Sequence, residues 1–120
     1  MKNTTLVLGA SLKLERYSNL AIKRLRAKKI KTSAVGLKEG LVDDVFINIG
    51  KPDFTDIHTV SLYLNPKRQK DYYNYIIALK PKRVIFNPGT ENIELMDLLE
   101  KNDIEFEVAC TLTLLATNQF

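Results

Sequence analysis

Gly9, Ala10 and Ser11 close an apolar run, and Arg16, Tyr17, Ser18 and Asn19 lead from them into a helix-forming segment. A small-residue turn between a buried strand and a helix start presents unpaired backbone N–H groups and the positive end of a helix dipole. Phosphate binding is the chemistry such a turn can do. Arg16, just before the helix, is placed to add a charge-assisted contact. Further small, amide and proline residues recur after other apolar runs: Gly36-Leu37-Lys38, Asn65-Pro66, Asn87-Pro88-Gly89 and, last, Cys110. Gathered at one edge, they would let backbone approach a flat, polar ligand.

The first turn has one glycine where the dinucleotide fingerprint Gly-x-Gly-x-x-Gly has three, so by itself it is a weak signal. The second strand end discriminates better. A NAD site carries Asp or Glu there to bind the ribose hydroxyls, whereas this chain offers Lys38 first and Glu39 only afterwards. A lysine suits a phosphorylated ribose, as in NADP or the 3′-phosphate of coenzyme A.

The elements that must position these residues alternate. Strands are predicted at about 4–9, 31–36, 58–64, 83–87 and 105–109, and helices at about 18–29, 91–102 and 111–117. Ser18 or Asn19 is expected to cap the first helix. Asn65-Pro66 reads as an N-cap followed by proline at the first helical position, and that helix stops before Lys80-Pro81. Residues 38–56 are less regular, with Val45-Phe46-Ile47 a short strand or a core plug. Right-handed crossovers then imply an α/β fold: a doubly wound, five-stranded parallel sheet with helices on both faces. Ligands of such sheets bind at the carboxyl ends of the strands.

At 120 residues the chain makes a single domain, 1–120, with 45% apolar and 27% charged residues. No apolar run nears the roughly 20 residues of a membrane helix, and no signal-peptide pattern opens the chain, so a cytoplasmic protein without membrane association is expected. One cysteine excludes an internal disulfide and agrees with a reducing compartment. The net charge of +4 favours polyanionic ligands. Lys23, Arg24, Arg26, Lys28, Lys29 and Lys31 supply much of it and read first as a solvated helix face. No nucleic-acid motif accompanies them, which disfavours a nucleic-acid partner.

Other candidates have plainer readings. His58 has no second histidine or triad spacing and reads as structural. Asp43, Asp44, Asp53 and Asp56 match no calcium loop and read as loop solvation, leaving no metal site. Tyr72, Tyr73 and Tyr75 read as packing residues.

Gly9-Ala10-Ser11, Arg16-x-Ser18-Asn19, the turn Asn87-Pro88-Gly89-Thr90-Glu91-Asn92 and the late Cys110, in this order, resemble the small CoA-binding-domain proteins. These are relatives of the CoA-binding domain of the succinyl-CoA synthetase alpha subunit. The resemblance runs over nearly the whole chain. It implies a Rossmann-like domain binding coenzyme A through its ADP portion. Gly9, Ala10, Ser11, Arg16, Ser18 and Asn19 would hold the pyrophosphate, with Tyr17 also a cofactor-binding residue, and Gly36, Leu37 and Lys38 would flank the adenosine. Asn65-Pro66 with Asn87-Pro88-Gly89 would line the pocket floor or the pantetheine path. Cys110 reads first as a small buried hydrophobe; the sharper alternative has it face the pantetheine end, where it could form a mixed disulfide with the CoA thiol. Family members often carry proline in the first loop, where this chain has Leu12 and Leu14. The synthetases' phosphohistidine loop and nucleotide-grasp domain have no counterpart, so ligase activity is not implied.

No acid–base pair, nucleophile–base pair or metal cluster stands out. The expectation is therefore a binder or regulator of CoA or an acyl-CoA rather than an enzyme. The alternatives are an NADP-binding enzyme or redox sensor, and a nucleic-acid or protein interaction module using the basic helix. A homodimer or an unidentified protein partner is left open.

Overall fold

The computed structural model describes residues 2–120. Its sheet has seven strands rather than the expected five. In chain order the elements are β1 (Thr4–Ala10), α1 (Tyr17–Ala27), β2 (Thr32–Gly36), β3 (Gly40–Val42), β4 (Val45–Asn48) and β5 (Ile57–Leu62). There follow α2 (Pro66–Gln69), a 3-10 turn (Lys70–Tyr72), α3 (Tyr73–Leu79), β6 (Arg83–Phe86), α4 (Ile93–Lys101), β7 (Glu105–Val108) and α5 (Thr111–Ala116).

The two additional strands come from the irregular segment. β3 and β4 form an antiparallel hairpin, and β4 lies parallel beside β2, giving the order β3-β4-β2-β1-β5-β6-β7. Every pairing except β3 with β4 is parallel. The hairpin turns at Asp43, which adopts φ 52°. It buries Val42, Val45 and Ile47 under α1 while leaving Leu41 and Phe46 outside.

The period-2 alternation of β1 divides the core. Leu6 and Leu8 join Val60, Leu62, Ile76, Val84, Phe86, Leu95 and Leu99 on the face that α3 and α4 cover. Val7 and Ala10 join Ile22, Leu25, Ala34, Ile47 and Leu115 on the face that α1 and α5 cover. Burying a Leu, Ile, Val or Phe side chain contributes roughly 1.5–3 kcal/mol, so both layers hold the sheet. From β1 the chain winds outward to β2 in one direction and to β5 in the other. The β1/β5 boundary is therefore the switch in strand order, where a crevice opens beyond the carboxyl ends of the strands.

The helix predicted after Asn65 is interrupted. Asn65 caps α2 as expected, its side chain accepting from Arg68 N–H with Pro66 at the first helical position. The chain then passes through the 3-10 turn before α3 forms. Lys2 ties off the far end of α3, its Nζ donating to the carbonyl of Leu79 at 2.9 Å.

Candidate functional site

The carboxyl edge is built from the turn after β1. Gly9 holds φ +100°, and a Cβ there would lie 2.9 Å from the carbonyl carbon of Tyr63. Only glycine lets the end of β1 run this close to the end of β5. Gly36 serves the neighbouring pair: a Cβ on it would run into the carbonyl oxygen of Ala10. Both glycines are explained by backbone packing, which sets the shape of the crevice.

The loop from Ser11 to Arg16 is ordered by its own contacts. Ser11 Oγ accepts from Lys13 N–H at 3.1 Å, and Ser11 carbonyl accepts from Asn19 Nδ2 at 2.9 Å. Leu12 lies against Gly40, where an added Cβ would sit 2.7 Å from its side chain. Packing on β3 thus restrains a loop that has no proline.

The first turn of α1 differs from expectation. Neither Ser18 nor Asn19 caps it. The helix begins at Tyr17 with Arg16 in the cap position, and no side chain bonds the helix N–H groups there. Ser18 and Asn19 fall inside the first turn and turn inward, 4% and 1% exposed. Among the described residues no protein acceptor takes the N–H of Tyr17 or Ser18, whereas the N–H of Asn19 and of Leu20 bond to Arg16 carbonyl. No acidic residue occupies the turn. The result is an N-terminus with free donors and an unopposed dipole.

Exposed cations stand in the loops after β1 and β2. Lys13, Arg16 and Lys38 are exposed. The ion pairs among the described residues are Arg26 with Asp44 and Arg83 with Glu107, so these three have no carboxylate partner. Leu37 stands 70% exposed between Gly36 and Lys38. Arg26, by contrast, spends its charge on Asp44 at 2.8 Å and leaves the basic stripe of α1.

Across the crevice the amide residues brace the edge from beneath. Asn87 is buried, donating to Ser61 Oγ and Leu62 carbonyl and accepting from Thr111 N–H. Its side chain therefore joins β5, β6 and α5 and has no donor left for a ligand. Pro88 and Gly89 are exposed, and Glu91 accepts the N–H of Gly89 at 2.9 Å. Gln69, which sequence reasoning missed, is 0% exposed. It donates to the carbonyls of Leu64 and Thr90, both at 2.8 Å, and accepts from Asn92. Asn92 in turn caps α4 and donates to Tyr73. This network fixes the Asn65-Pro66 turn relative to the Pro88-Gly89 turn.

Cys110 precedes α5 and is half-buried. Burial pushes its thiol pKa up, but hydrogen bonding from the Thr113 hydroxyl and from the backbone at Thr113 and Leu112 outweighs that and leaves it below the ordinary value. Nearby, Tyr63 holds a hydroxyl that burial, with a smaller contribution from Cys110, pushes up to about 12.

Other candidates fall away from this edge. His58 Nδ1 is bonded to Thr59 Oγ1, and Asp56 accepts from Thr4 Oγ1. Two concavities lie at the amino ends of β6 and β7 and along the outer edge, lined by Lys80, Lys82, Asp103, Glu105 and Glu107. They are charged, open depressions without an inward-pointing free group. The carboxyl edge is instead marked by the free N–H groups of Tyr17 and Ser18. No helix among the described residues is long and apolar enough to cross a membrane.

The uncapped helix and the unpaired cations suit a phosphate-bearing ligand. The sequence matches the family model of the CoA binding domain over residues 3–116. A crystal structure of an uncharacterized protein is 45% identical, with a TM-score of 0.94 over 100% of this chain and 99% of that one. A hypothetical protein from Pyrococcus horikoshii OT3 is 25% identical, with a TM-score of 0.78 over 93% of this chain and 80% of that one. A Thermus thermophilus protein at 18% identity and a TM-score of 0.87, over 99% of this chain and 91% of that one, shares the fold. No curated protein matches. The chain belongs to the CoA binding domain family.

Proposed function

From that family membership, we propose that this Rossmann-like domain binds coenzyme A or an acyl-CoA through its ADP portion. The ligand lies at the carboxyl ends of the strands, and the protein acts as a binder or regulator, in keeping with one free thiol and a reducing, cytoplasmic setting. The observation that carries the reading is the first turn of α1, whose N–H groups at Tyr17 and Ser18 are free next to the cap residue Arg16, which has no carboxylate partner. A pyrophosphate there accepts those N–H groups and meets the positive end of the helix. Gly9, Ala10 and Ser11 supply the close backbone. Gly36, Leu37 and Lys38 flank the adenosine, Leu37 giving apolar surface to the base and Lys38 a cation to the 3′-phosphate. Asn65-Pro66 and Pro88-Gly89 border the far side, and Cys110 lies toward the thiol end.

Lys38 tests the reading. A charge-assisted contact to phosphate is worth roughly 1.5–3 kcal/mol. Lys38→Ala is therefore expected to weaken CoA binding by about 10-fold or more. It should also erase the preference for CoA over 3′-dephospho-CoA in isothermal titration. Unchanged discrimination in the variant would remove Lys38 from the phosphate. An NADP-binding protein would use the same lysine for its 2′-phosphate, and comparison of the two ligands separates the readings.

A further inference from the structure

The two edges of the sheet differ in what they offer a further strand. β7 carries Glu105 and Glu107 inside the strand, and charges within an edge strand deter pairing. β3 is Gly40-Leu41-Val42, holds no charge, and pairs with β4 alone. Among the described residues no backbone hydrogen bond outside that pairing reaches β3. Its outer N–H and C=O groups are therefore open to a partner strand.

The side chains mark the same edge. Leu41 stands opposite Phe46 across the hairpin, on the face turned away from Val42, Val45 and Ile47. Leu41 is 66% exposed and Phe46 46%, and neither joins the core under α3 and α4. An apolar pair beside free backbone groups suits β-strand addition. In that mode the main chain supplies affinity and alternate side chains supply choice.

The charges choose the occupant. Glu39 and Asp43 flank β3, and both are exposed. Arg26 gives its Nε and Nη2 donors to Asp44. Among the described residues neither Glu39 nor Asp43 forms an ion pair. A second copy is the wrong partner here. Two β3 strands meeting antiparallel about Leu41 would set Glu39 of each opposite Asp43 of the other. Like charges directly opposite destabilise a strand pair. A strand with a cation at each of those positions reverses the sign. Glu39 and Asp43 are four positions apart, so its cations are four apart as well, with an apolar residue midway, opposite Leu41.

We infer that β3 is a docking edge for an extended segment of a partner protein, one with two lysines or arginines four positions apart and an apolar residue between them. The inference does not depend on what the carboxyl edge of the sheet binds.

The test uses the labelled peptide Thr-Lys-Thr-Val-Thr-Lys-Thr, acetylated and amidated, read by fluorescence anisotropy. A second peptide has glutamate for both lysines. The lysine peptide should bind saturably, with a Kd of about 1 mM or tighter, and the glutamate peptide about 10-fold or more weakly. Leu41→Lys sets a cation on the exposed side of the edge and should weaken the lysine peptide by about 10-fold or more. Glu39→Gln combined with Asp43→Asn should weaken it by about 3–30-fold. That pair decides alone if Leu41→Lys does not fold, since asparagine tolerates the φ of 52° at position 43. Failure of the lysine peptide to bind, equal binding of the two peptides, or unchanged affinity in the variants overturns the docking edge. So does a dimer of the unmodified protein in sedimentation that Leu41→Lys dissociates, which gives the edge to a second copy.

Discussion

The α-carbon of Gly9 passes so close to Tyr63 that a single added methyl would lie 2.9 Å from the Tyr63 carbonyl carbon. This contact sets the width of the crevice at the switch in strand order, because it joins the turn that leads to α1 to the end of β5. Gly9→Ala adds both that clash and a left-handed backbone to a residue with a Cβ. The two together cost about 2–4 kcal/mol. Chemical denaturation should show that loss, and CoA binding by the fraction still folded should fall as well.

Gln69 makes a separate prediction about the framework. Gln69→Ala leaves the carbonyls of Leu64 and Thr90 and one of the two N–H groups of the Asn92 amide without the partner that Gln69 supplies. The expected cost is about 2–4 kcal/mol. The exposed neighbour Lys67→Ala should stay within about 0.5 kcal/mol of the unmodified protein. Equal losses in denaturant melts would show that the buried network is not what stabilises this edge.

Four helices end on residues with a Cβ in the left-handed region: Lys29 after α1 at φ 58°, Lys80 after α3 at φ 49°, Asp103 after α4 at φ 56° and Asn118 after α5 at φ 56°. Glycine removes that steric cost at a helix end. Lys29→Gly and Asp103→Gly are each expected to raise stability by about 0.5–1 kcal/mol, measured by denaturant midpoint. A loss in both would contradict the backbone assignment.

Alkaline pH should weaken the fold through two tyrosines. Burial, aided by Cys110, holds Tyr63 at about 12, and burial, aided by Asp53 and Tyr72, holds Tyr75 at about 12. Tyr75 also donates to Pro52 carbonyl at 2.6 Å. The ordinary value is about 10, so the folded state favours the protonated phenols. Their contribution is complete below about pH 10 and is lost as pH rises toward 12. Thermal melts across that window should show a declining midpoint, and Tyr63→Phe should decline less steeply. A flat profile in the unmodified protein would contradict the burial of both hydroxyls.

The legible parts of this chain were those with a local cause. Asn65-Pro66 announces its helix because capping and a fixed proline φ act within one turn. The apolar run that stops at Gly9 places the end of β1 to within one residue of Ala10. The β3–β4 hairpin was harder to read, since its strands have only three and four residues and Asp43-Asp44 replaces the usual Asn-Gly or Asp-Gly turn. Gln69 stands in the polar run Lys67-Arg68-Gln69-Lys70 and reads as solvent-facing. Only the convergence of the β5 and β6 loops buries it. Ser18 and Asn19 have the composition of helix caps, yet the helix starts before them at Tyr17, so their side chains enter the interior. The inward turn of Asn19 follows from that displacement of two or three residues and from its bond to Ser11, neither of which periodicity reveals.

The central claim is that the carboxyl edge binds coenzyme A through the free first turn of α1. Isothermal titration of the reduced protein with CoA, NADP and NAD at one salt concentration tests it most directly. The account predicts saturable one-to-one binding of CoA, at least about 10-fold tighter than NADP, with NAD weaker still for lack of a phosphate to meet Lys38. Binding of NADP as tight as CoA, or of none of the three, would contradict it.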